Sequence, residues 1–357
     1  MTIRHRLVVL DRSPLGDSGV RIVVTGVAGS VGARVARRLS TDDNIDVVGI
    51  DRVGVRNDGL AGHHLGDLRT LDLDEIFDGA DAVVHLASAY GRNEFIDASR
   101  HDTRAAQITF DAATRSNVRH LVLLSSAMVY GARAENPIPL TEHAAVRPSQ
   151  LAFAENKATI ERLGNEWKAK TAGTLTVLRP STAVASGGSS WVAKSMQLAA
   201  GLGSDSDPPL QFLHLDDLAS AVETLVRRGA DGTFNVAPDG WVRAEEVRSL
   251  SGRAPRLRIP SGVADEIVRF SWKRGIVATP PGIMQYATEP WVVSNDRLRD
   301  LGWEPQWSNV EAYVESFDPR PWAMLNAKRR QQLALGGAGV GIAGVAAAAR
   351  LISRRWR

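Results

Sequence analysis

Gly26, Gly29 and Gly32 recur at every third residue in Thr25-Gly26-Val27-Ala28-Gly29-Ser30-Val31-Gly32, between an apolar run and a segment of helical character. Glycines at that spacing suit phosphate binding. One permits a tight turn, one lets backbone approach a pyrophosphate, and one lets a helix pack on a strand. The helix that follows offers unpaired N–H groups and the positive end of its dipole to the phosphates. Asp51 lies 19 residues beyond Gly32, at the end of the next apolar run. A carboxylate there accepts hydrogen bonds from both adenosine ribose hydroxyls and repels a 2′-phosphate, which favours NAD over NADP. Arg52 follows directly and softens that preference, because a guanidinium pairs with phosphate.

These residues need a scaffold that sets a strand end beside a helix start. Residues 21–25, 46–51, 82–86, 120–124 and 174–178 read as buried strands, and residues 34–39 and 151–170 read as helices. Apolar strands separated by helical stretches indicate a parallel sheet covered on both faces. The expected class is α/β, a Rossmann-type doubly wound parallel sheet with a smaller mixed C-terminal substrate lobe. After Pro180 the regularity drops, with loops marked by Gly187-Gly188 and Asp207-Pro208-Pro209. Residues 216–228 have helical spacing, and residues 232–236 read as a late strand. The chain therefore divides into an N-terminal extension (1–20), a nucleotide-binding Rossmann domain (21–180), a substrate-binding lobe interleaved with it (181–319) and a basic Ala/Gly-rich tail (320–357). There is no internal repeat. The run Leu7-Val8-Val9-Leu10 is too short for the apolar core of a secretory signal.

The composition excludes several chemistries. The absence of cysteine rules out disulfides, thiolate metal sites and cysteine nucleophiles, and it fits a cytoplasmic location. The eight histidines are scattered, and the adjacent pair His63-His64 lacks ligand spacing, so no metal is expected. The net charge of +3 conceals an asymmetry. Arg320, Lys328, Arg329, Arg330, Arg350, Arg354, Arg355 and Arg357 are unopposed by any acid, leaving 35 basic against 40 acidic side chains in residues 1–319. A mildly acidic body argues against nucleic acid as a partner. Within the tail, residues 333–349 form 17 uncharged positions, seven Ala and five Gly among them. That stretch is slightly short and weakly hydrophobic for a bilayer span. The flanking basic residues and Trp322 and Trp356 suit an anionic membrane surface, so residues 328–357 are expected either to associate with the cytoplasmic face of a membrane or to serve as a disordered or protein-docking tail.

Further ordered motifs accompany the glycine turn: Asp67-Leu68, His85-Leu86-Ala87, Ser125-Ser126-Ala127-Met128-Val129-Tyr130-Gly131, Thr141-Glu142, Arg179-Pro180, Phe212-Leu213-His214-Leu215-Asp216-Asp217-Leu218-Ala219 and Gly232-Thr233-Phe234-Asn235-Val236. In these the chain resembles the extended short-chain dehydrogenase/reductase family, the NAD-dependent epimerase/dehydratase group that includes UDP-glucose 4-epimerase, from about residue 21 to 317. The resemblance implies an NAD site built from Gly26, Gly29, Ser30, Val31, Gly32, Asp51, Arg52, Asp67, Leu68, Leu86, Ala87, Lys157 and Pro180. In that family a tyrosine exchanges a proton with the substrate while hydride moves to or from nicotinamide. A lysine one helical turn on lowers the tyrosine pKa and holds the nicotinamide ribose, and a serine hydrogen-bonds the substrate oxygen. Carried over by position, Ser126 is the serine, Lys157 is the lysine, and Glu161 stands where an acid commonly follows.

Phe153 holds the tyrosine position, keeping the ring and losing the hydroxyl. The family's Asn-Val-x-Gly-Thr element is met only by Asp102-Thr103-Arg104-Ala105-Ala106, and an asparagine after the Arg-Pro strand end is replaced near Ser181-Thr182. Among groups able to stand in for the phenol, Tyr130 reads as packing, His143 and Ser149 read as surface polar residues, and Ser126 paired with a water is the least contrived. Two functions remain open. One is an NAD-dependent enzyme acting on a nucleotide-sugar or lipid-linked hydroxyl with atypical acid–base chemistry. The other is a non-catalytic NAD-binding protein with a membrane or protein partner. The resemblance also implies a homodimer.

Overall fold

The computed structural model describes residues 19–55, 59–89, 95–186, 192–193, 207–250 and 282–316, with a few single positions between 266 and 280. Strands β1 (Val20–Thr25), β2 (Ile45–Asp51), β3 (Gly62–Leu65), β4 (Ala82–His85), β5 (His120–Leu124) and β6 (Thr174–Pro180) are followed by the short β7 (Thr182–Val184), β8 (Pro209–Leu210) and β9 (Phe212–His214), then β10 (Gly232–Val236) and β11 (Val242–Arg243). Seven of them form one sheet in the order β10-β6-β5-β4-β1-β2-β3, and every pairing in it is parallel. Two small pairs lie outside it, β7 with β9 and β8 with β11.

The sheet is covered on both faces, which is why its inner strands are apolar at nearly every position rather than at alternate ones. Helices α1 (Ser30–Leu39), α2 (Leu73–Phe77), α3 (Phe95–Arg115), α4 (Ala152–Lys170) and α5 (Leu215–Arg228) supply the cover. Successive strand residues point to opposite faces. Ile22 and Val24 of β1 therefore pack with Val35 and Leu39 of α1 and with Leu218, Val222 and Leu225 of α5. Val23 packs the other way, with Phe77 of α2, Phe110 of α3 and Ile160 and Trp167 of α4.

Several boundaries differ from the sequence reading for physical reasons. The helix after the glycine turn begins at Ser30, because Gly29 already accepts the first helical hydrogen bond from the Ala33 N–H at 2.9 Å. Strand β3 is Gly-His-His-Leu at the sheet edge, with no apolar run to announce it, and it places His63 and His64 in a strand. No group of residues able to hold a metal occurs among the described residues. The chain leaves the sheet after Pro180 and returns to it at β10, which pairs with β6 from Gly232↔Thr176 to Val236↔Pro180. Among the described residues no helix is long and apolar enough to cross a membrane. Most of the N-terminal extension and all of the basic tail lie outside the described residues.

Two tight contacts position the later chemistry. A Cβ on Gly32 would lie 2.1 Å from the Gly26 carbonyl oxygen, so only glycine lets α1 approach the turn this closely. Below the sheet ends, the Arg179 guanidinium of β6 makes two hydrogen bonds to Glu161 of α4, at 2.9 and 2.6 Å, with both side chains buried. Burial alone would depress the arginine, but its hydrogen bonds to Glu161 outweigh that and raise its pKa. The hydroxyl of Ser125, at the end of β5, donates to the same carboxylate.

Gly32→Ala is expected to lower stability by about 1–3 kcal/mol through overpacking, measured as a shifted denaturant midpoint. Glu161→Gln, which leaves the buried Arg179 charge uncompensated, is expected to cost about 3–5 kcal/mol in the same assay.

Candidate active site

A cavity of about 470 Å³ opens along the carboxyl ends of β1, β2, β4, β5 and β6. Ligand crevices of open parallel sheets form there, where the order of connections reverses. Here the reversal falls between β1 and β4, which pair side by side.

The turn after β1 forms one wall. Gly26 adopts φ +76°, and a Cβ on it would meet the Ala87 backbone nitrogen at 2.7 Å, so the turn and the loop after β4 pack backbone against backbone. Gly29, Ser30, Val31 and Gly32 line the cavity. Gly29 caps α1 without a side-chain hydrogen bond, so the first N–H groups of the helix have no intrahelical partner and suit an anion. Asp51 at the end of β2 accepts N–H groups from Ala28 and Val53, both at 3.0 Å, which hold its carboxylate at the cavity. Beyond it lie Arg52, Asp67, Leu68 and Arg69. Arg69 makes two side-chain hydrogen bonds to Asp67, at 2.9 and 2.7 Å, and draws that carboxyl down to about 2. Arg52 also faces Asp67, at 3.9 Å. This wall fits a dinucleotide: small residues and open amides for phosphate, then a fixed carboxylate for ribose hydroxyls.

The opposite wall comes from β4, β5, β6 and α4. Leu86 and Ala87 continue β4, and Pro180 ends β6. Ser126 follows β5 and caps a single 3-10 turn, Ala127–Tyr130, its Oγ accepting the Met128 N–H at 3.2 Å. A hydroxyl used as an acceptor keeps its own hydrogen for another partner. Phe153 and Lys157 stand one turn apart on α4, and both line the cavity. Lys157 is buried and donates to the Leu124 carbonyl at 3.0 Å, with its ammonium 5.7 Å from the centre of the Phe153 ring. Burial lowers its pKa, opposed by the charges of Asp102 and Glu161. His85, buried beside Thr25, is held at about 3 by burial and then by the Lys157 charge, so it is neutral near pH 7.

Every residue that the sequence reading assigned to the cofactor or to catalysis therefore borders this one cavity. Tyr130 does not. Its hydroxyl donates to Asn235 at 2.8 Å and its ring lies under Arg179. Ser149 is occupied in packing, where its Oγ accepts the Ala132 N–H at 3.1 Å, and His143 is exposed away from the cavity. The structure adds residues that the sequence reading did not assign to a role here, namely Ser88, His101, Asp102 and Trp291. Asp102 had a signal, the incomplete helix motif around it. Ser88 and Trp291 had none, being a lone serine in a loop and a tryptophan far along the chain.

The comparisons with known proteins agree with this geometry. An uncharacterized protein of Mycobacterium tuberculosis is 27% identical over 323 residues, 84% of each chain. The UDP-glucose 4-epimerase of Azospirillum brasilense is 24% identical over 332 residues, covering 83% of this chain and 90% of that one. Among solved structures, the Thermus thermophilus UDP-glucose 4-epimerase in complex with NAD superposes with a TM-score of 0.64 at 18% identity, over 84% of this chain and 98% of that one. The model of the NAD dependent epimerase/dehydratase family matches residues 22–237, from the third residue of β1 to just past the end of β10. A glycine turn, the Asp51 carboxylate and a buried lysine thus meet in the part of the chain that the family model covers, and the chain belongs to the NAD-dependent epimerase/dehydratase family, with NAD as its cofactor.

Proposed function

We propose that this chain is an NAD-dependent oxidoreductase of the epimerase/dehydratase type that acts on a hydroxyl of a nucleotide sugar or a related hydroxylated substrate, without a phenol as its acid–base group. The observation that carries the reading is the joint placement of Ser126, Lys157 and the nucleotide turn around one cavity, with Phe153 one helical turn before the lysine. The UDP-glucose 4-epimerases it resembles support the substrate class.

NAD, when bound, takes up and returns a hydride. The chain does the rest. The α1 amides hold phosphate, and Asp51 takes ribose hydroxyls while repelling a 2′-phosphate. Lys157 supplies a buried cation for the second ribose, Ser126 donates to the substrate oxygen, and Phe153 excludes water where it stands. Phe153 occupies the position of the family tyrosine by motif, and its missing oxygen separates cofactor binding from proton transfer. That same substitution favours a second reading, a non-catalytic NAD-binding protein whose basic tail (320–357) meets a membrane or protein partner. Dimerisation and the division at residue 180 are parts of the same proposal.

Asp51→Ala is expected to weaken NAD binding about 10- to 100-fold and to narrow the preference over NADP, read by calorimetry, through loss of charge-assisted hydrogen bonds. Native protein that binds neither dinucleotide would sink both readings. Phe153→Tyr is expected to speed reduction of bound NAD by UDP-glucose or UDP-glucuronic acid, by up to roughly two to four powers of ten, the range for general acid–base help. If neither the native protein nor this variant reduces NAD with any nucleotide sugar, the non-catalytic reading stands.

A further inference from the structure

The catalytic reading leaves a proton without a destination. Ser126 can hydrogen-bond an alcohol, but an aliphatic hydroxyl does not keep the proton it receives. Among the described residues, the carboxylates that line the cavity are Asp51, Asp67 and Asp102. Asp51 and Asp67 belong to the wall formed after β2, where backbone amides and Arg69 hold them. Asp102 stands apart from them, on α3, across from the nucleotide turn. It is 3% exposed, yet its carboxylate reaches the cavity through a hydroxyl. Ser88, in the loop after β4, donates from Oγ to Asp102 Oδ2 at 2.6 Å, and the Ala89 N–H donates to Oδ1, also at 2.6 Å. Ser88 itself lines the cavity and is exposed within it. Lys157, one turn after Phe153, feels the charge of Asp102.

We propose that the Ser88–Asp102 pair is the proton acceptor of this enzyme, doing the work for which Phe153 has no oxygen. The inference rests on the catalytic reading given above. In the oxidative step the substrate C–H bond breaks and its electron pair leaves as hydride, reducing NAD. The substrate O–H bond breaks, its proton passes to Ser88 Oγ, and the Ser88 proton passes to Asp102. A carbonyl and a neutral Asp102 carboxylic acid result, and the return step runs the transfer backwards. Short charge-assisted O–H···O contacts suit such a relay. His101 lines the same cavity, but its Nδ1 is buried without a hydrogen-bond partner among the described residues, whereas Asp102 is joined to the cavity by the Ser88 hydroxyl.

The alternative role for Asp102 is an anchor for the loop after β4, and an amide separates the two. Asp102→Asn keeps an oxygen to accept the Ala89 N–H and turns its amide NH2 toward Ser88 Oγ, which can accept from it, but it cannot take the proton. Full-length, NAD-loaded protein is mixed with UDP-glucose or UDP-glucuronic acid, and NAD reduction is followed in a single turnover alongside NAD affinity and melting temperature. Asp102→Asn is expected to leave affinity and melting nearly unchanged while slowing reduction about 100-fold or more. His101, on the same helix, also lines the cavity, so His101→Asn is run in parallel and is expected to leave the rate nearly unchanged. In Phe153→Tyr protein, Asp102→Asn is expected to slow reduction little, because the phenol restores a second route.

An unchanged rate in Asp102→Asn overturns the assignment. So does a loss of rate matched by a loss of NAD affinity or melting temperature, or a loss of rate in His101→Asn as large as in Asp102→Asn. Reduction by Phe153→Tyr but not by the native protein overturns this inference and leaves the family chemistry standing. No reduction by either overturns the catalytic reading and this inference with it.

Discussion

The buried bond between Arg179 and Glu161 sets the geometry of the cavity wall formed by β5, β6 and α4. It joins β6 to α4 by two short hydrogen bonds, and Ser125 at the end of β5 adds a third to the same carboxylate. Glu161 lies one turn beyond Lys157 and two beyond Phe153 on that helix. A carboxylate held from two strands fixes the rotation and height of α4, so the lysine and the phenylalanine face the cavity together. Asn156 strengthens the arrangement from the other side, donating to Ser99 and Thr103 of α3 at 2.9 and 2.8 Å. The helix that carries Phe153 is therefore wedged between a buried ion pair and a neighbouring helix, and its residues have little freedom to turn away.

The nucleotide wall works by a different constraint, close approach without side chains. Gly26 meets Ala87, and Gly32 meets Gly26, at distances that a Cβ would forbid. Removing side chains brings the amides of α1 and the loop after β4 to the same place. Asp51 is then pinned by two backbone N–H groups before any ligand arrives. One wall is shaped by buried charge and the other by missing atoms.

This difference explains what was legible in the sequence. The glycine turn and Asp51 are local, because a turn, a helix start and a strand end lie within 26 residues of one another. The apolar runs of β1, β2, β4, β5 and β6 announce themselves because both faces of the sheet are covered. Strand β3 escapes notice because it is an edge strand without an apolar run. Ser126 and Lys157 were reachable only through resemblance, since nothing in their spacing alone brings two elements together. The pairing of Ser88 with Asp102 was beyond either route. It depends on a loop after β4 folding back on the middle of α3, and neither a lone serine nor an aspartate inside a helix signals that contact.

The sheet order carries a consequence for how such a protein changes over generations. The nucleotide turn and its carboxylate hang from β1 and β2, whereas Ser126, Phe153 and Lys157 hang from β5, its following turn and α4, with β4 between the two sets. The two halves share a cavity and an apolar core, in which Val23 and Ile50 lie with Leu121, Leu123 and Ile160, but the side chains that face the cavity come from separate elements. A cavity-facing side chain of α4 can therefore change by a single substitution without moving the glycine turn or Asp51. The faces that meet a ligand are thus separately mutable, although the core behind them is common to both.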